Sequence, residues 1–363
     1  MRIAVIHDYF DKKGGGEKLS LILAKELNAD LYTGFVEKEK TFDMNDIKNV
    51  NVLGKRIRFS LIRPFVLFYR FYKLDIKDKY DFFILSGNYS IACAKKCRPN
   101  LFYCHTPPRH LYSENQWFLS EKKMILRPFI RLYFSLLKYI DRKFVFMCDF
   151  IASNSENIKN RIKKYYGNKL YKKTKVVYPP IEIDKFKYLK PKDYYISWGR
   201  LHKLKRVDMI VQAFIKMPDK KLIVASCGPE YEKIKEMAYG FSNIEILGYV
   251  NDSQLKKLVG ECLASIYIPI QEDFGMTPLE GMAAGKPCIG VNEAGLKETI
   301  IHKKTGYLCK PDISLDDICR AVKFMDKQRC FDMKEECINH ALKFSDKNFI
   351  YGIKQIIDNN IKK

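Results

Sequence analysis

The feature that most limits the possible folds is an alternation of short apolar runs with amphipathic stretches, and it occurs twice along the chain. Such alternation is typical of a parallel β-sheet whose strands are joined by helices. It therefore predicts the fold class α/β. The strands are expected in the first half at Ile3–His7, Phe82–Ser86, Leu101–His105 and Phe150–Asn154, and in the second half at Tyr194–Trp198, Lys221–Ser226, Ile244–Leu247, Ala264–Pro269 and Pro287–Val291.

A proline-rich segment separates the two halves. Three prolines between residues 179 and 191 disfavour both a helix and a central strand, so the segment predicts a linker. The domains are then expected at 1–178 and 193–340, and the residues from about 314 onward follow a helical pattern. Because open parallel sheets bind ligands at the carboxyl ends of their strands, we expect a ligand in a cleft between two facing domains.

Composition favours a soluble protein of the cell interior. The chain is 47% hydrophobic and 29% charged, and no apolar run reaches the ~18 residues of a membrane span. Eleven scattered cysteines without a recognisable signal peptide predict free thiols in a reducing cytosol. Cys93, Cys97, Cys104 and His105 match no common zinc spacing, so no metal site is expected.

The positive charge is concentrated in one third of the chain. The net charge is +23, and residues 51–175 hold 27 Lys and Arg against 8 Asp and Glu. Within them, 55–73 and 127–144 interleave basic residues with Phe, Tyr and Leu, a pattern that suits an anionic membrane surface. Ordinary amphipathic helices with basic outer faces are the alternative. Nucleic acid would accept the charge too, but no nucleic-acid motif is present, so that partner is not expected.

The second half contains an acidic motif, "PIQEDFGMTPLEGMAAGKP", at residues 269–287. Thr277 as N-cap and Glu280 three residues later fit a capping box, which explains Glu280 as a structural residue, and the helix is expected to stop near Gly285. Neither Glu272 nor Gly275 is explained in that way. A glycine turn before a helix presents free N–H groups that bind phosphate, and flanking carboxylates can bind hydroxyls. The combination indicates a nucleotide sugar.

Two cations follow the first strand of the second half, in "SWGRLHKLKRVD". Arg200 lies at the strand's end, and Lys205 stands where the next helix opens and where a cation opposes the helix dipole. We expect both to neutralise a diphosphate, and we expect Lys203 and Arg206 to be solvated bystanders.

A further loop of the second half, "LGYVNDSQL", offers Tyr249 and Val250 as contacts for a nucleotide base. A turn with ordinary core packing explains these two residues equally well. Both interpretations stay open at this point.

The first half offers a glycine loop and a histidine. Gly14, Gly15 and Gly16 precede a helix expected to begin at Glu17, and they fit either a phosphate-binding loop or a plain turn. The spacing does not match a dinucleotide-binding fingerprint. His105 stands at a strand end before two prolines, where it could bond a sugar hydroxyl or transfer a proton.

Taken together, these motifs resemble a known family. "EDFGMTPLE", preceded in order by the glycine loop, the Pro-Pro segment, "GRL" with Lys205, and "CGP", resembles the E-x7-E signature of retaining glycosyltransferases of family four. The resemblance covers nearly the whole chain. It implies the GT-B fold, in which two Rossmann-like domains, acceptor-binding and nucleotide-sugar-binding, face each other across a cleft and a C-terminal helix, 341–363, crosses back. "YCHTPPRHLY" further resembles bacterial mannosyltransferases that build polysaccharides such as O-antigen.

The resemblance also implies roles for individual residues. Glu272, His105, Arg200 and Lys205 would be catalytic. Glu280 would bind the ribose. The donor sugar would be bound by Glu272, by His105 and by the backbone of Phe274, Gly275 and Met276, and the diphosphate by Thr277, Arg200, Lys205, Gly15 and Gly16. Apart from the resemblance, Arg109 follows His105 in "CHTPPRHL" and could bind the acceptor or a phosphate; we expect the acceptor. The glycine loop departs slightly from the family, which more often has alanine where Gly16 stands.

The activity implied is transfer of a hexose to a hydroxyl with retention of anomeric configuration, without a metal or other cofactor. GDP-mannose or a UDP-sugar would be the co-substrate. A lipid-linked or growing oligosaccharide would be the acceptor, and the enzyme would lie on the inner face of the cell membrane. A sugar-nucleotide epimerase of the same fold and a non-enzymatic basic protein that binds membrane or nucleic acid are the alternatives, and the sequence does not define an oligomeric state.

Overall fold

The chain consists of two compact units, each built on its own parallel sheet. The computed structural model describes residues 1–361. Residues 1–179 together with the chain from 349 onward form the first unit, and residues 180–348 form the second unit. Within the described residues, no helix combines the length and the apolar character that crossing a bilayer requires.

The first unit has a seven-stranded parallel sheet in the order β3-β2-β1-β4-β5-β6-β7. Its strands are β1 (Ile3–His7), β2 (Asp30–Thr33), β3 (Val50–Val52), β4 (Phe82–Ser86), β5 (Asn100–Cys104), β6 (Phe150–Ser153) and β7 (Thr174–Val176). The helices that precede residue 179 are α1 (Gly15–Glu26), α2 (Arg63–Lys73), α3 (Asn115–Ser120), α4 (Arg127–Val145), α5 (Glu156–Tyr166) and α6 (Asn168–Lys173).

Both faces of this sheet are covered, which is why its central strands are continuously apolar. Successive side chains of a strand point to opposite faces. Ala4 and Ile6 therefore join one core with α2 and α4, whereas Ile3 and Val5 join the other core with α1. The carboxyl ends of β1, β4 and β5 then meet at one edge, where the loops that follow them lie side by side.

The last helix packs on the first unit. Helix α15 (Asp346–Ile361) places Phe349, Ile353 and Ile357 in the core that contains α1 and β1. The rings of Phe349 and Tyr103 lie 5.7 Å apart in an edge-on contact. The expected return of the C-terminal helix to the first domain is confirmed.

The second unit has a six-stranded parallel sheet in the order β10-β9-β8-β11-β12-β13. Its strands are β8 (Tyr195–Ser197), β9 (Leu222–Val224), β10 (Ile244–Ile246), β11 (Ser265–Ile266), β12 (Cys288–Val291) and β13 (Gly306–Cys309). Its helices are α7 (Val207–Ile215), α8 (Tyr231–Met237), α9 (Asp252–Glu261), α10 (Met276–Ala283), α11 (Leu296–Thr299), α12 (Leu315–Phe324), α13 (Lys327–Asp332) and α14 (Lys334–Leu342).

All nine strands expected from the sequence are present, and so is the helical C-terminal region. The sequence pattern missed four strands, β2, β3, β7 and β13. Each lies at or next to a sheet edge.

The proline-rich segment is packed against the second unit. Ile181 and Phe186 are buried, and the backbone N–H of Leu189 donates to the carbonyl of Gly260 at 3.0 Å. The N–H of Lys192 likewise donates to the carbonyl of Glu261 at 2.7 Å. Residues 180–192 therefore belong to the second unit, and they include a short 3₁₀ helix at Ile183–Lys185.

Candidate active site

The loops after β8 and β11 meet at the carboxyl edge of the second sheet. The backbone N–H of Ile270 donates to the carbonyl of Leu204 at 2.8 Å, which joins the two loops directly. Gly199 lies so close to the ring of Tyr267 that an added Cβ would be 2.9 Å from it. These contacts bring the motif that begins at Arg200 and the motif that begins at residue 269 to one place.

At this edge Lys205, Glu272 and Tyr267 form a closed cluster. Lys205 Nζ donates to Glu272 Oε2 at 2.5 Å and to the hydroxyl of Tyr267 at 2.6 Å, and that hydroxyl donates to Glu272 Oε2 at 2.8 Å. The side chains of Lys205 and Glu272 are only 25% and 19% exposed. Burial, reinforced by the carboxylate of Glu272, raises the pKa of Tyr267 well above its ordinary value, so the phenol is neutral. The cluster holds a cation and a carboxylate in fixed positions.

The predicted capping box in the acidic motif is wrong. Helix α10 begins at Met276, and its N-cap is Gly275, whose φ of 96° lies in the left-handed region. Thr277 and Pro278 are therefore the second and third residues of the helix, and Glu280 is too far along it to bond the N-cap. Proline is tolerated throughout a first turn, since those N–H groups have no acceptor within the helix, so Pro278 could not fix the start.

Glu280 instead faces the loop after β8. Trp198 Nε1 lies 3.4 Å from Glu280 Oε2, and Trp198 is two residues before Arg200. The helix ends as expected at Gly285, whose N–H donates to the carbonyl of Met282 at 2.8 Å with a φ of 66°. Glu280 therefore lies among the residues of the candidate site and does not cap its helix.

The cations of the "GRLHKLKR" loop differ in their surroundings. Arg200 is exposed, and within residues 1–361 its guanidinium has no hydrogen-bond or ion-pair partner. The expectation that Arg206 is a solvated bystander is wrong. Its Nε donates to the carbonyl of Ile268 at 2.6 Å and its Nη2 to that of Pro269 at 3.2 Å, so Arg206 supports the loop that carries Glu272.

The remaining donor candidates of the second unit are placed as follows. The side chain of Phe274 is buried, with its ring 5.6 Å from that of Phe344, so only its backbone can meet a ligand. Met276 and Thr277 are half-buried in the first turn of α10. Tyr249 is 80% exposed in the loop after β10, and its neighbour Val250 is half-buried.

In the first unit the glycine loop and the histidine come together. Helix α1 begins at Gly15, two residues earlier than expected, because the glycines themselves form its first turn. A Cβ added to Gly16 would lie 3.6 Å from His105 Nε2, at the end of β5. His105 is half-buried, and the loss of hydration lowers its pKa to about 4, so the ring is neutral near pH 7.

Four polar residues beneath His105 were not identified from the sequence: His7, Asp8, Ser20 and Ser86. All are buried. The Asp8 carboxylate accepts from the backbone N–H groups of residues 88, 89 and 90 at 2.7 to 2.8 Å, and burial raises its pKa to about 6. Burial lowers the pKa of His7 to about 3. Their only sequence signal is a polar pair, "HD", directly after a buried strand.

Arg109, the candidate acceptor residue, lies in the loop after β5. Its guanidinium pairs with the Glu114 carboxylate at 2.5 Å, and both side chains are about one fifth exposed, 22% and 23%. The arginine is therefore held in place by an acidic neighbour from the same loop.

Comparison with known proteins assigns a family to this arrangement. Residues 180–344 match the family model described as glycosyl transferases group 1. The alpha-1,3/1,6-mannosyltransferase ALG2 of Dictyostelium discoideum is 26% identical over 86% of this chain and 87% of its own. The N-acetyl-alpha-D-glucosaminyl L-malate synthase of Bacillus anthracis is 38% identical over 32% of this chain and 31% of its own. The chain is a glycosyltransferase.

The fold of this glycosyltransferase is GT-B. The structure of the Anabaena protein HepE in complex with UDP-glucose aligns with a TM-score of 0.74 and 16% identity, over 99% of this chain and 100% of HepE. The matched family segment, 180–344, contains Arg200, Lys205, Glu272 and Glu280. The residues that the E-x7-E resemblance singled out therefore lie in the part of the glycosyltransferase that carries the family match.

Proposed function

We propose that this glycosyltransferase transfers mannose from GDP-mannose to a hydroxyl of a lipid-linked or growing oligosaccharide in the synthesis of cell-surface polysaccharide, with retention of configuration. The names of the ALG2 relatives support the choice of mannose. The observation that carries the proposal is the cluster of Lys205, Glu272 and Tyr267 at the carboxyl edge of the second sheet. It provides a fixed cation for a phosphate beside a fixed carboxylate for a sugar.

Catalysis in this proposal is electrostatic. Arg200, Lys205 and the N–H groups of the first turn of α10 stabilise the negative charge that develops on the departing diphosphate. These fixed charges supply the neutralisation that a metal ion supplies in other transferases. The leaving phosphate then takes the proton of the attacking hydroxyl on the same face of the sugar, which accounts for retention.

The two glutamates bind hydroxyls on either side of the diphosphate. The bonds from Lys205 and Tyr267 both end on Oε2 of Glu272, so this carboxylate is oriented before the donor sugar arrives. Glu280, beside the indole N–H of Trp198, is assigned to the ribose. In the first unit, His105 is assigned to the donor sugar, Gly15 and Gly16 to the diphosphate, and Arg109 to the acceptor.

A panel of nucleotides tests the donor. The chain is heated with GDP-mannose, GDP, UDP-glucose, UDP or mannose 6-phosphate, each at millimolar concentration. A micromolar ligand then adds about 4 kcal/mol to the free energy of unfolding, which a melting curve detects readily. UDP-glucose belongs in the panel because the HepE structure contains it. We expect GDP-mannose and GDP to stabilise the chain most, and stabilisation by UDP ligands alone would overturn the choice of donor.

An assay without acceptor separates transfer from epimerisation. An epimerase converts its nucleotide sugar with no second substrate, whereas a transferase needs an acceptor hydroxyl. We expect GDP-mannose to persist unchanged, apart from slow hydrolysis, until a lipid-linked acceptor is added. Formation of a new nucleotide sugar in the absence of acceptor would favour the epimerase.

We also propose that the first unit binds an anionic membrane surface through a basic–apolar face, defined by Phe59, Leu61, Met124, Ile125, Phe129 and Leu132. These side chains are between 67% and 78% exposed. Helix α4 is apolar on two sides, because Phe134 and Leu137 face the core while Phe129 and Leu132 face outward. The hydroxyl of Tyr133 donates to the carbonyl of Leu61 at 2.8 Å, which joins the segment before α2 to α4.

Charge favours lipid as the occupant of this face. Arg58, Lys123, Arg131, Arg142 and Lys143 are exposed on the same segments. A face that mixes basic and aromatic side chains fits the interface of an anionic bilayer, where the rings enter the headgroup region and the cations meet phosphates. A large exposed apolar patch is otherwise costly for a monomer in water.

Vesicle flotation tests this surface. The chain should float with phosphatidylglycerol vesicles, bind phosphatidylcholine vesicles far more weakly, and dissociate as salt is raised. Phe129→Glu combined with Leu132→Glu should abolish flotation. Phe331→Glu, at a residue of the second unit that is 58% exposed, serves as the matched control. Equal binding of all three proteins would refute the assignment of this face.

A further inference from the structure

A chain of hydrogen bonds runs from His105 into the core of the first unit. His105 Nε2 lies 2.9 Å from Ser86 Oγ, and Ser86 Oγ lies 2.9 Å from Ser20 Oγ. Ser20 Oγ lies 2.8 Å from the carbonyl oxygen of Gly16. These hydrogen bonds therefore link the end of β5, the end of β4 and the first turns of α1. Ser20 and Ser86 are fully buried, so water does not complete their bonds.

Which group donates in each of these hydrogen bonds is determined from the buried end of the series, at His7. His7 Nδ1 lies 2.5 Å from the carbonyl oxygen of Ser86 and 2.9 Å from Ser20 Oγ. A carbonyl oxygen only accepts, so Nδ1 carries the proton of His7 and Ser20 cannot donate to it. Two oxygens at 2.8 Å need a proton between them, so the Ser20 hydroxyl donates to the carbonyl of Gly16.

The donors of the remaining hydrogen bonds, toward His105, then follow. A serine hydroxyl has one proton, and Ser20 has used its own, so Ser86 donates to Ser20. Ser86 therefore accepts from His105. We infer that Ser20 and Ser86 are positioning residues that hold His105 with its proton on Nε2 and thereby present Nδ1 as a hydrogen-bond acceptor. The opposite direction would leave the contact between Ser20 Oγ and the Gly16 carbonyl without a proton.

This tautomer determines what kind of group His105 can bind. Within residues 1–361, Nδ1 of His105 has no hydrogen-bond partner, and the ring is only half-buried. The lowered pKa of His105, about 4, keeps the ring neutral at pH 7. A neutral nitrogen that only accepts binds a hydroxyl and repels a phosphate oxygen. That this hydroxyl belongs to the donor sugar rests on the proposed function, whereas the tautomer itself does not.

The first experiment needs no variant of the hydroxyl chain. The full chain is labelled with ¹⁵N-histidine, and long-range ¹H–¹⁵N correlations are recorded near pH 7, with His105→Gln identifying the His105 signals. We expect a protonated Nε2 and an unprotonated Nδ1 for His105. A protonated Nδ1, or rapid averaging of the two tautomers, would overturn the inference.

A pair of serine variants then tests the consequence. Ser86→Ala removes the acceptor for Nε2–H, and it should produce a mixture of His105 tautomers and lower kcat/KM for the donor by about fivefold. The control is Ser90→Ala, because Ser90 is also fully buried but, within residues 1–361, its hydroxyl bonds only to the carbonyl of Gly87, at 3.4 Å. In Ser90→Ala, the tautomer of His105 and kcat/KM should be unchanged. An unaltered tautomer in Ser86→Ala would refute the role of Ser86.

The outcomes also separate this inference from the proposed function. If the tautomer of Ser86→Ala changes but kcat/KM does not, the hydroxyl chain stands and the contact of His105 with the donor sugar is refuted. If the wild-type chain has the expected tautomer but neither binds nor turns over any nucleotide sugar, the proposed function fails and the positioning role of Ser20 and Ser86 remains.

Discussion

The carboxyl edges of the two sheets carry polar groups of opposite character. In the second unit, Lys205 and Glu272 are charged, partly exposed and paired with each other. In the first unit, Ser20 and Ser86 are uncharged and fully buried, and His105 above them is neutral near pH 7. The same sheet architecture therefore presents fixed charges in one unit and a fixed neutral acceptor in the other.

Each edge therefore suits a different kind of ligand group. A fixed cation beside a carboxylate suits a diphosphate that carries a sugar, since each charge has a distinct target. A neutral nitrogen held by hydroxyls suits a hydroxyl ligand, because no charge is stabilised there. Pairing keeps the charges of the second unit in place, whereas burial keeps the groups of the first unit neutral.

The largest expected effect comes from the left-handed turn at Gly275, which opens α10 at the second edge. An alanine Cβ at Gly275 would lie 2.6 Å from Leu296 Cδ2, at a φ of 96°. We expect Gly275→Ala to destabilise the second unit by about 3 kcal/mol, from left-handed backbone plus overpacking. Gly240→Ala is the matched control, because its φ is 85° and nothing lies within 4 Å of its Cβ. It should cost only about 1 kcal/mol.

Gly16→Ala makes the same change at the first edge. The added Cβ would lie in ordinary contact with His105, at 3.6 Å, so stability should be nearly unchanged. Urea unfolding followed by hydrogen exchange measures each unit separately. If Gly16→Ala were as destabilising as Gly275→Ala, the contrast between a strained turn and a relaxed one would be wrong.

How well the sequence predicts each edge follows from how its residues are spaced. Arg200, Lys205, Glu272 and Glu280 lie in two short motifs, so the sequence identifies them together. His7, Ser20 and Ser86 come from three separate segments and meet only because β1 pairs with β4 and α1 packs beside them. Single buried serines have no local pattern, so their role required the fold.

Backbone geometry was the second limit on what could be predicted from the sequence. The sequence predicted the end of α10 at Gly285 correctly, because a left-handed glycine is a strong stop signal. It did not predict the start of α10, because Gly275, Thr277 and Pro278 are all compatible with several first positions.

The next largest effect should come from the charge pair of the second edge. We expect Lys205→Met to lower kcat/KM for donor by about 100-fold, or ~2.7 kcal/mol, because it removes a charge-assisted contact to the diphosphate and the ion pair that orients Glu272. Arg200→Ala, which breaks no contact within the described chain, should cost at least about tenfold.

The control for the charge pair is Lys192→Met. Lys192 pairs with Glu261 at 2.8 Å in the same unit but is 61% exposed, and its loss should leave kcat/KM unchanged. Steady-state kinetics on Lys205→Met, Arg200→Ala and Lys192→Met measures these changes in kcat/KM. A loss of less than about threefold for Lys205→Met would remove this lysine from the catalytic assignment.

A smaller effect, on the free energy of unfolding, should come from a buried carboxylate of the first unit. Asp141 accepts from the hydroxyls of Tyr112 and Tyr166 at 2.7 and 2.8 Å, and burial raises its pKa to about 6. The folded state therefore binds a proton more tightly than the unfolded state, so this group contributes stability at low pH and loses it as pH rises through about 6.

Asp141→Asn removes that dependence. Wild type should gain about 2 kcal/mol relative to the variant between pH 8 and about pH 4.5, as measured by hydrogen exchange in β4 and β5. Asp75→Asn, at a carboxylate that is 58% exposed, should show no such difference. A difference of the opposite sign would mean that Asp141 is stabilised as an anion and that pairing, not burial, governs the first unit as well.

The smallest effect should come from Tyr249, which tests how far the ligand site of the second edge extends. Its ring is 80% exposed three residues beyond β10, two strands away from β8. Stacking on a nucleotide base is worth about 1 kcal/mol at the low end, so Tyr249→Ala should raise the Kd for the nucleotide about fivefold and leave kcat unchanged. Tyr239→Ala, at a ring that is 87% exposed beyond the end of α8, is the matched control and should change neither. Isothermal titration with GDP and with UDP distinguishes the two variants. An unchanged Kd for Tyr249→Ala would confine the ligand to the loops after β8 and β11, because the exposed ring would then be an ordinary surface tyrosine.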